Sequence, residues 1–266
     1  MSLLRQVIPT PPPHAESDRL TFALTRCRGR SRAWSGTAYR VTSVRRANEK
    51  DLVSGEGSRL IGQRWNPPGL FRTLYLSLDH QTALAEALAQ NTRQGLPVSH
   101  SLPLVLTAFQ VKLDCVLDHT DRRIRSILGV TLDTIISTPH ELGPETITQA
   151  IGRLTNAACF MALLVPSAAV RGKRNLVIFR SKLAAKDLRI INKDELPTNK
   201  RALASGLSYF KKDNLKYFLK SSSPEPGDRC RIRMSEGVSL RRSPVRDAVE
   251  VWLGREGGES RFSLSA

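Results

Sequence analysis

Between residues 104 and 113 apolar side chains alternate with others. Val105, Thr107, Phe109, Val111 and Leu113 fall on one face, and this period of two predicts a strand. Residues 37–44 and 74–77 read as two further strands, and the apolar runs 161–165 and 175–179 as two more. A short one is expected at 187–191. The segment 82–90, Thr-Ala-Leu-Ala-Glu-Ala-Leu-Ala-Gln, consists of good helix formers, and Asp79 stands where a capping residue belongs. Pro144 and Glu145 open a second helix that carries Ile147, Ile151 and Leu154. Strands and helices mix without a regular βαβ alternation. The expected fold class is therefore α+β, a mixed sheet with flanking helices.

The ends of the chain carry weaker patterns. Residues 1–34 are expected to form a flexible basic leader. Pro11-Pro12-Pro13 favours extended backbone, and Arg26-Cys27-Arg28-Gly29-Arg30-Ser31-Arg32 is a basic cluster with little to bury. Such a cluster is either a solvated tail or an arm for nucleic acid. Residues 35–192 hold the globular signals. Residues 193–266 read as a basic, partly disordered extension. Within it, 200–220 suits an amphipathic helix with Leu203, Leu207, Phe210, Leu215, Tyr217, Phe218 and Leu219, and a short helix is expected near 245–253.

Composition narrows the function classes. The 266 residues include 41 Lys and Arg against 24 Asp and Glu, a formal charge of +17 that favours anionic partners. The excess is spread along the chain: six basic against two acidic residues in 1–34, 17 against 11 in 35–181, and 18 against 11 in 182–266. The longest apolar stretch, 157–165, is nine residues, whereas a membrane-spanning helix needs about 20. No basic start followed by an apolar stretch and a small-residue cleavage site opens the sequence. Cys27, Cys115, Cys159 and Cys230 are far apart and form no CxxC, so neither a zinc site nor a disulfide framework is signalled and a reducing cytoplasm is expected. The five histidines, His14, His80, His100, His119 and His140, lack metal-ligand spacing. P-loop, HExxH and GxSxG patterns are absent, as are the signatures of the common nucleic-acid-binding modules.

Residues 36–90 carry the informative motifs. Gly36-Thr37-Ala38-Tyr39-Arg40-Val41 is followed by Ser54-Gly55-Glu56-Gly57 and then by Gly62-Gln63-Arg64-Trp65-Asn66. Leu74-Tyr75-Leu76-Ser77 and Ala83-Leu84-Ala85-Glu86 come next, and Val165-Pro166-Ser167 and Asn175 follow much later. In this order and spacing they resemble the RES domain, a family whose members include toxins of bacterial toxin–antitoxin pairs. The resemblance spans roughly 36–192. Three positions depart from the family pattern as we read it: Gln63 replaces a second glycine, Leu176-Val177-Ile178-Phe179-Arg180 follows Asn175 where an Asn-Pro is usual, and Asp187-Leu188-Arg189-Ile190 only approaches the usual ending.

The resemblance implies an ADP-ribosyltransferase-like sheet core and an enzyme that consumes NAD+. Cleavage of the nicotinamide–ribose bond builds positive charge on the ribose. Inorganic phosphate is the expected acceptor, with water or a protein side chain as alternatives, and no bound cofactor is expected. Arg64, Tyr75 and Glu86 are the candidate catalytic residues. Glu86 offers an ionised acceptor to the cationic ribose, although helical periodicity alone places it on an ordinary exposed shoulder. Arg64 and Arg40 suit phosphate oxygens, which a guanidinium grips bidentately. Tyr75 can stack on nicotinamide or use its hydroxyl, or simply pack in the core. Ser167 and Asn175 are candidate substrate-binding hydrogen-bonders, turn formation being the plainer reading of Asn175. Trp65 reads as packing and Glu56 as a loop residue. The implied partner is an antitoxin of Xre or helix-turn-helix type, through which alone nucleic acid is engaged. A homo-oligomer is possible and no membrane is involved. An ADP-ribosyltransferase acting on protein, a non-enzymatic basic nucleic-acid-binding protein and an inactive relative are the competing readings.

Overall fold

A computed structural model describes residues 9–93, 104–137, 143–191, 193 and 196, with six further strands between residues 209 and 264. The chain divides into two compact units. The first comprises Met1–Tyr39, Lys50–Thr82 and Phe109–Arg189; the second comprises Arg40–Glu49, Ala83–Ala108 and Ile190–Ala266.

Most of a mixed sheet belongs to the first unit. The strands of this sheet are β1 (Arg32–Ser43), β2 (Thr73–Ser77), β3 (Leu104–Asp118), β4 (Ala162–Pro166), β5 (Arg174–Phe179) and β6 (Leu188–Ile190). They lie in the order β1-β2-β5-β4-β3-β6, and β1 also pairs with β3. The predicted strands are all present, and β1 and β3 run longer than expected. The β3 face drawn from the alternation is buried throughout, with Val105, Phe109, Val111 and Leu113 at 0 % exposure. Leu176 to Phe179 of β5 are also fully buried, as expected for a continuous apolar run in the middle of a sheet.

β5 runs antiparallel to both β2 and β4. β3 and β4 are parallel, with Val116 opposite Ala162 and Leu117 opposite Leu163. Parallel neighbours cannot be joined by a tight turn, so the chain needs a crossover. Helices α5 (Arg122–Leu128), α6 (Leu132–Ser137) and α7 (Ile147–Ala157) supply it. A capping box starts α7: Gln149 N donates to Thr146 Oγ1 (3.3 Å) and Thr146 N donates to Gln149 Oε1 (3.1 Å). Ala150 and Ile151 are buried in one cluster with Leu117, Leu163, Val165, Val177 and Phe179, and Ile147 and Leu154 pack against it.

Part of the expected leader is ordered. Ser17–Thr25 forms helix α1, whose Leu20, Ala23 and Leu24, with Cys27 beyond its end, join the same cluster. Their i, i+3, i+4, i+7 spacing is a helical stripe, and its burial outweighs the polar character of the surrounding sequence. Glu145 ties this helix to α7. Its carboxylate accepts from Arg153 Nε (2.6 Å), Arg153 Nη2 (2.8 Å) and the His14 backbone N–H (2.7 Å), and Arg153 Nη2 also donates to Ser17 Oγ (2.9 Å). The Glu56 segment is likewise helical. α2 (Glu49–Ser54) and α3 (Glu56–Ile61) replace the expected loop, and Glu56 is held by Arg59 and Arg72.

The second unit contains most of helix α4 (His80–Arg93), the end of β1 and the start of β3. Val44, Ala47 and Val105 form a small apolar cluster, and Lys193 pairs with Glu49 at 2.7 Å. The expected helix at 200–220 is not found where residues are described. β7 (Tyr209–Lys212) and β8 (Leu215–Phe218) pair antiparallel, and the aromatic pairs Tyr209-Phe210 and Tyr217-Phe218 suit strands better than a helix. Near 245–253 a strand replaces the expected helix. β9 (Ile232–Met234), β10 (Val238–Arg242), β11 (Val249–Arg255) and β12 (Gly258–Leu264) form an antiparallel sheet. The alternation Val249, Val251, Leu253 favours it. Among the described residues no helix is long and apolar enough to cross a membrane.

The Glu145 side chain is 1 % exposed and that of Arg153 22 %. Arg153→Met leaves the buried carboxylate without its cation and is expected to destabilise the fold by about 3 kcal/mol. The check is the midpoint of thermal unfolding, which should fall by several degrees; an unchanged midpoint would show that the pair does not hold α1 to α7.

Candidate active site

The site begins with a tight turn. Gln63 and Asn66 exchange backbone hydrogen bonds, Gln63 N to Asn66 O at 2.8 Å and Asn66 N to Gln63 O at 3.2 Å, leaving Arg64 and Trp65 as the central pair. Gly62 leads into it at φ +69°, and a Cβ there would approach Pro68 Cδ to 2.9 Å, so a glycine is required. Gln63 keeps a negative φ, because Cys159 alone among the described non-glycine residues has a positive one. The departure at Gln63 therefore introduces no backbone strain.

Each neighbouring element pins the turn. Trp65 N donates to Tyr75 Oη (3.0 Å), and Tyr75 Oη donates to Asn66 Oδ1 (2.8 Å). Asn66 Nδ2 donates to Ser58 O of α3 (2.8 Å). Gln149 Nε2 of α7 donates to Gln63 O (3.1 Å). Gly152 of α7 lies against the Trp65 carbonyl so closely that a Cβ built on it would overlap that oxygen. The Trp65 ring is 2 % exposed and tilts against His119, with centroids 5.3 Å apart.

Arg64 is half-buried, and its Nη1 donates to the carbonyls of Ile135 (3.2 Å) and Ile136 (2.8 Å) in the last turn of α6. A cation at a helix C-terminus is favourably placed. Burial pushes the Tyr75 phenol far above its ordinary value, against smaller opposing effects of the Trp65 N–H and the Arg64 charge. Tyr75 is thus a neutral hydrogen-bonding group, and its hydroxyl holds the Arg64 turn.

Along β5 the register places Asn175 opposite both Ser77 and Val165, and Ser77 Oγ donates to Asn175 Oδ1 (2.8 Å). Tyr75, Ser77, Asn175 and Val177 share one sheet face by the period of two. Ser167, just past β4, is 2 % exposed. Its Oγ accepts from Ala169 N (3.2 Å) and Val170 N (3.0 Å) and so fixes the turn that returns the chain to β5.

The structure thus brings Arg64 and Tyr75 together through Trp65 and Asn66, and sets Asn175 two residues along the same face. Arg40 and Glu86 belong to the second unit. Arg40, half-buried near the end of β1, has its guanidinium lowered to about 10 by burial and by the Arg46 charge. Glu86 is half-buried on α4. That helix starts as predicted at Asp79, whose carboxylate accepts from Thr82 N and Thr82 Oγ1 at 2.8 Å each. Sequence reasoning missed Ser77, Gln149 and Gly152. Only the cross-strand register and the approach of α7 reveal them.

Comparison with known proteins adds three findings. A family model described as the RES domain matches residues 37–199. NAD(+) phosphorylase MbcT of Mycobacterium tuberculosis and that of Mycobacterium bovis are each 31 % identical over 141 residues, covering 51 % of this chain and 69 % of theirs. A solved structure described as the M. tuberculosis MbcT-MbcA toxin-antitoxin complex shares the fold with a TM-score of 0.53. Its identity is 24 %, and the match covers 66 % of this chain and 90 % of that one.

Two expectations follow from the geometry. Gly152→Ala forces α7 away from the Trp65 carbonyl and is expected to cost about 1–3 kcal/mol; a lowered unfolding midpoint with altered Trp fluorescence is the check. His119 is fully buried, and neither ring nitrogen has a hydrogen-bond partner among the described residues. Burial lowers its pKa to about 4, partly opposed by Asp118 and reinforced by Arg125. A folded pKa below the unfolded value near 6.5 means that protonation favours the unfolded chain. This contribution is present above about 6.5 and is lost as pH falls toward 4, by roughly 3 kcal/mol in all. His119→Phe should flatten the stability profile across that window, and an identical profile in the variant would exclude His119 as its source.

Proposed function

We propose, because this chain belongs to the RES domain family, that it destroys NAD+ by cleaving the nicotinamide–ribose bond with inorganic phosphate as acceptor. The observation that carries the reading is the 31 % identity to mycobacterial NAD(+) phosphorylases over 141 residues. In the reaction a phosphate oxygen forms a bond to the anomeric ribose carbon. The carbon–nitrogen bond breaks, and its electron pair neutralises the pyridinium nitrogen. The products are nicotinamide and ADP-ribose 1″-phosphate.

The residue roles follow from their chemistry. Glu86 stabilises the cationic ribose in the transition state, where an ionised acceptor matches the developing charge. Arg64 binds a phosphate group; its guanidinium carries five donors, and two carbonyls of α6 fix its direction. Arg40 supplies a second cation to the pyrophosphate. Tyr75 acts as a positioning residue, because its hydroxyl is engaged by Trp65 and Asn66. Asn175, oriented by Ser77, contacts substrate, and Ser167 shapes the adjoining turn. The protein partner in this reading is a cognate antitoxin, supported by the toxin–antitoxin complex that shares the fold; its helix-turn-helix type and the cytoplasmic setting rest on the family resemblance alone.

The test is a time course of NAD+ loss by purified protein with and without phosphate, with products separated by mass spectrometry. Nicotinamide release should require phosphate and yield the mass of ADP-ribose phosphate. Glu86→Ala and Arg64→Ala should each lower kcat/KM by about 10²–10³. Release independent of phosphate would make the enzyme a hydrolase, and no release by well-folded protein would overturn the reading.

A further inference from the structure

The basic cluster 26–32 takes no part in the site above, yet the fold gives it a definite place. Arg28–Arg30 forms a turn of 3-10 helix, and Arg32 opens β1. Arg122 and Arg123 stand in the first turn of α5. Arg30, Arg122 and Arg123 line an open groove of about 500 Å³ with Asp121, Ser126 and Ile127. All five arginines are exposed. Among the described residues the side chains of Arg28, Arg30, Arg122 and Arg123 make no hydrogen bond or ion pair. The one acidic residue of the groove is already engaged. Asp121 Oδ1 accepts from the Arg123 backbone N–H at 2.8 Å, and Oδ2 faces Arg32 Nη2 at 4.0 Å.

We propose that this groove binds the phosphodiester backbone of a nucleic acid. Unpaired guanidinium groups from two elements converge on one open surface, and each can fork onto phosphate oxygens. The only apolar lining residue is Ile127, half-buried. An interface with an acidic protein would call for aromatic or aliphatic anchors at its centre, whereas backbone recognition needs only charge and donors.

The test measures the affinity of the full chain for a labelled 20-base-pair DNA duplex and for single-stranded RNA of the same length, by fluorescence anisotropy between 50 and 200 mM salt. Binding to either probe supports the proposal, and the ratio between the two identifies the nucleic acid. Each phosphate contact on a duplex contributes about −0.9 to the slope of log affinity against log salt. The triple variant Arg30→Gln, Arg122→Gln, Arg123→Gln should bind at least about tenfold more weakly at low salt, with a slope smaller in magnitude by about 2–3. The control is Arg171→Gln, Lys186→Gln, Arg189→Gln, which removes the same charge from exposed positions elsewhere and should stay within about threefold of wild type. Unchanged thermal midpoints in both triples exclude misfolding. Equal losses in the two triples would reduce the effect to net charge and overturn the proposal. So would the absence of binding to both probes, or binding of poly-glutamate as tight as that of nucleic acid.

Discussion

Trp65 has to bury its ring while the residue beside it keeps a charge near the surface, and the two share one tight turn. Taking such a turn into the interior removes its backbone groups from water, so each needs a partner. The Trp65 N–H finds the Tyr75 hydroxyl, and the Gln63 carbonyl finds Asn66 N and the Gln149 amide. The Trp65 carbonyl meets the bare α-carbon of Gly152. Four elements thus converge on four residues. Arg64 inherits its position from these contacts, because its neighbour cannot move without breaking several of them together. A side chain held this way loses little freedom when a ligand arrives.

The parallel pairing of β3 with β4 lies behind this convergence. It obliges the chain to leave the sheet at Asp118 and return at Ala162, and the three helices of the crossover fill that interval. α7 then supplies Gln149 and Gly152, while α6 presents the carbonyls of Ile135 and Ile136 to Arg64. The Glu145–Arg153 pair, with Arg153 on the last helix of the same crossover and Glu145 just before it, also anchors α1 through His14 and Ser17. The N-terminal helix is thereby part of the support of the turn, although it contributes no side chain to it.

The sheet was the most legible part of the sequence. Alternation over 104–113 marked the buried face of β3, and the apolar runs near 161 and 175 marked β4 and β5. Each of these signals is local and repeats every second residue. Asp79 and the Ala-rich stretch after it were legible for the same reason, since a cap acts within one turn. α2, α3, α5 and α6 escaped notice because each is six or seven residues long, too short to display a period of 3.6. α1 displayed one, in Leu20, Ala23, Leu24 and Cys27, but it was masked by the prolines before it and the arginines after it. In the candidate site, Arg64, Tyr75 and Asn175 were named from the motif. Their partners were not, because Ser77, Gln149 and Gly152 matter through register and close approach rather than through their own chemistry. The second glycine of the family pattern illustrates the converse. Gln63 departs from the motif, yet its backbone lies in the ordinary region and its carbonyl and N–H close the turn.

The formal charge of +17 needs the same distinction between a residue's type and its circumstances. Arg19 donates to the Leu128 carbonyl, Arg64 to Ile135 and Ile136, Arg125 to His119 and Thr120, and Arg180 to Val53. These arginines close the ends of helices and loops, where the guanidinium serves as a set of donors to carbonyl oxygens that would otherwise lose their partners. Arg59, Arg72 and Arg153 are matched by carboxylates. Part of the basic charge therefore has a structural role within the described fold. Arg30, Arg122 and Arg123 differ from all of these, since they are exposed and, among the described residues, their side chains meet no carbonyl or carboxylate. The location of unpaired charge, more than its total, determines where an anionic partner can bind to this chain.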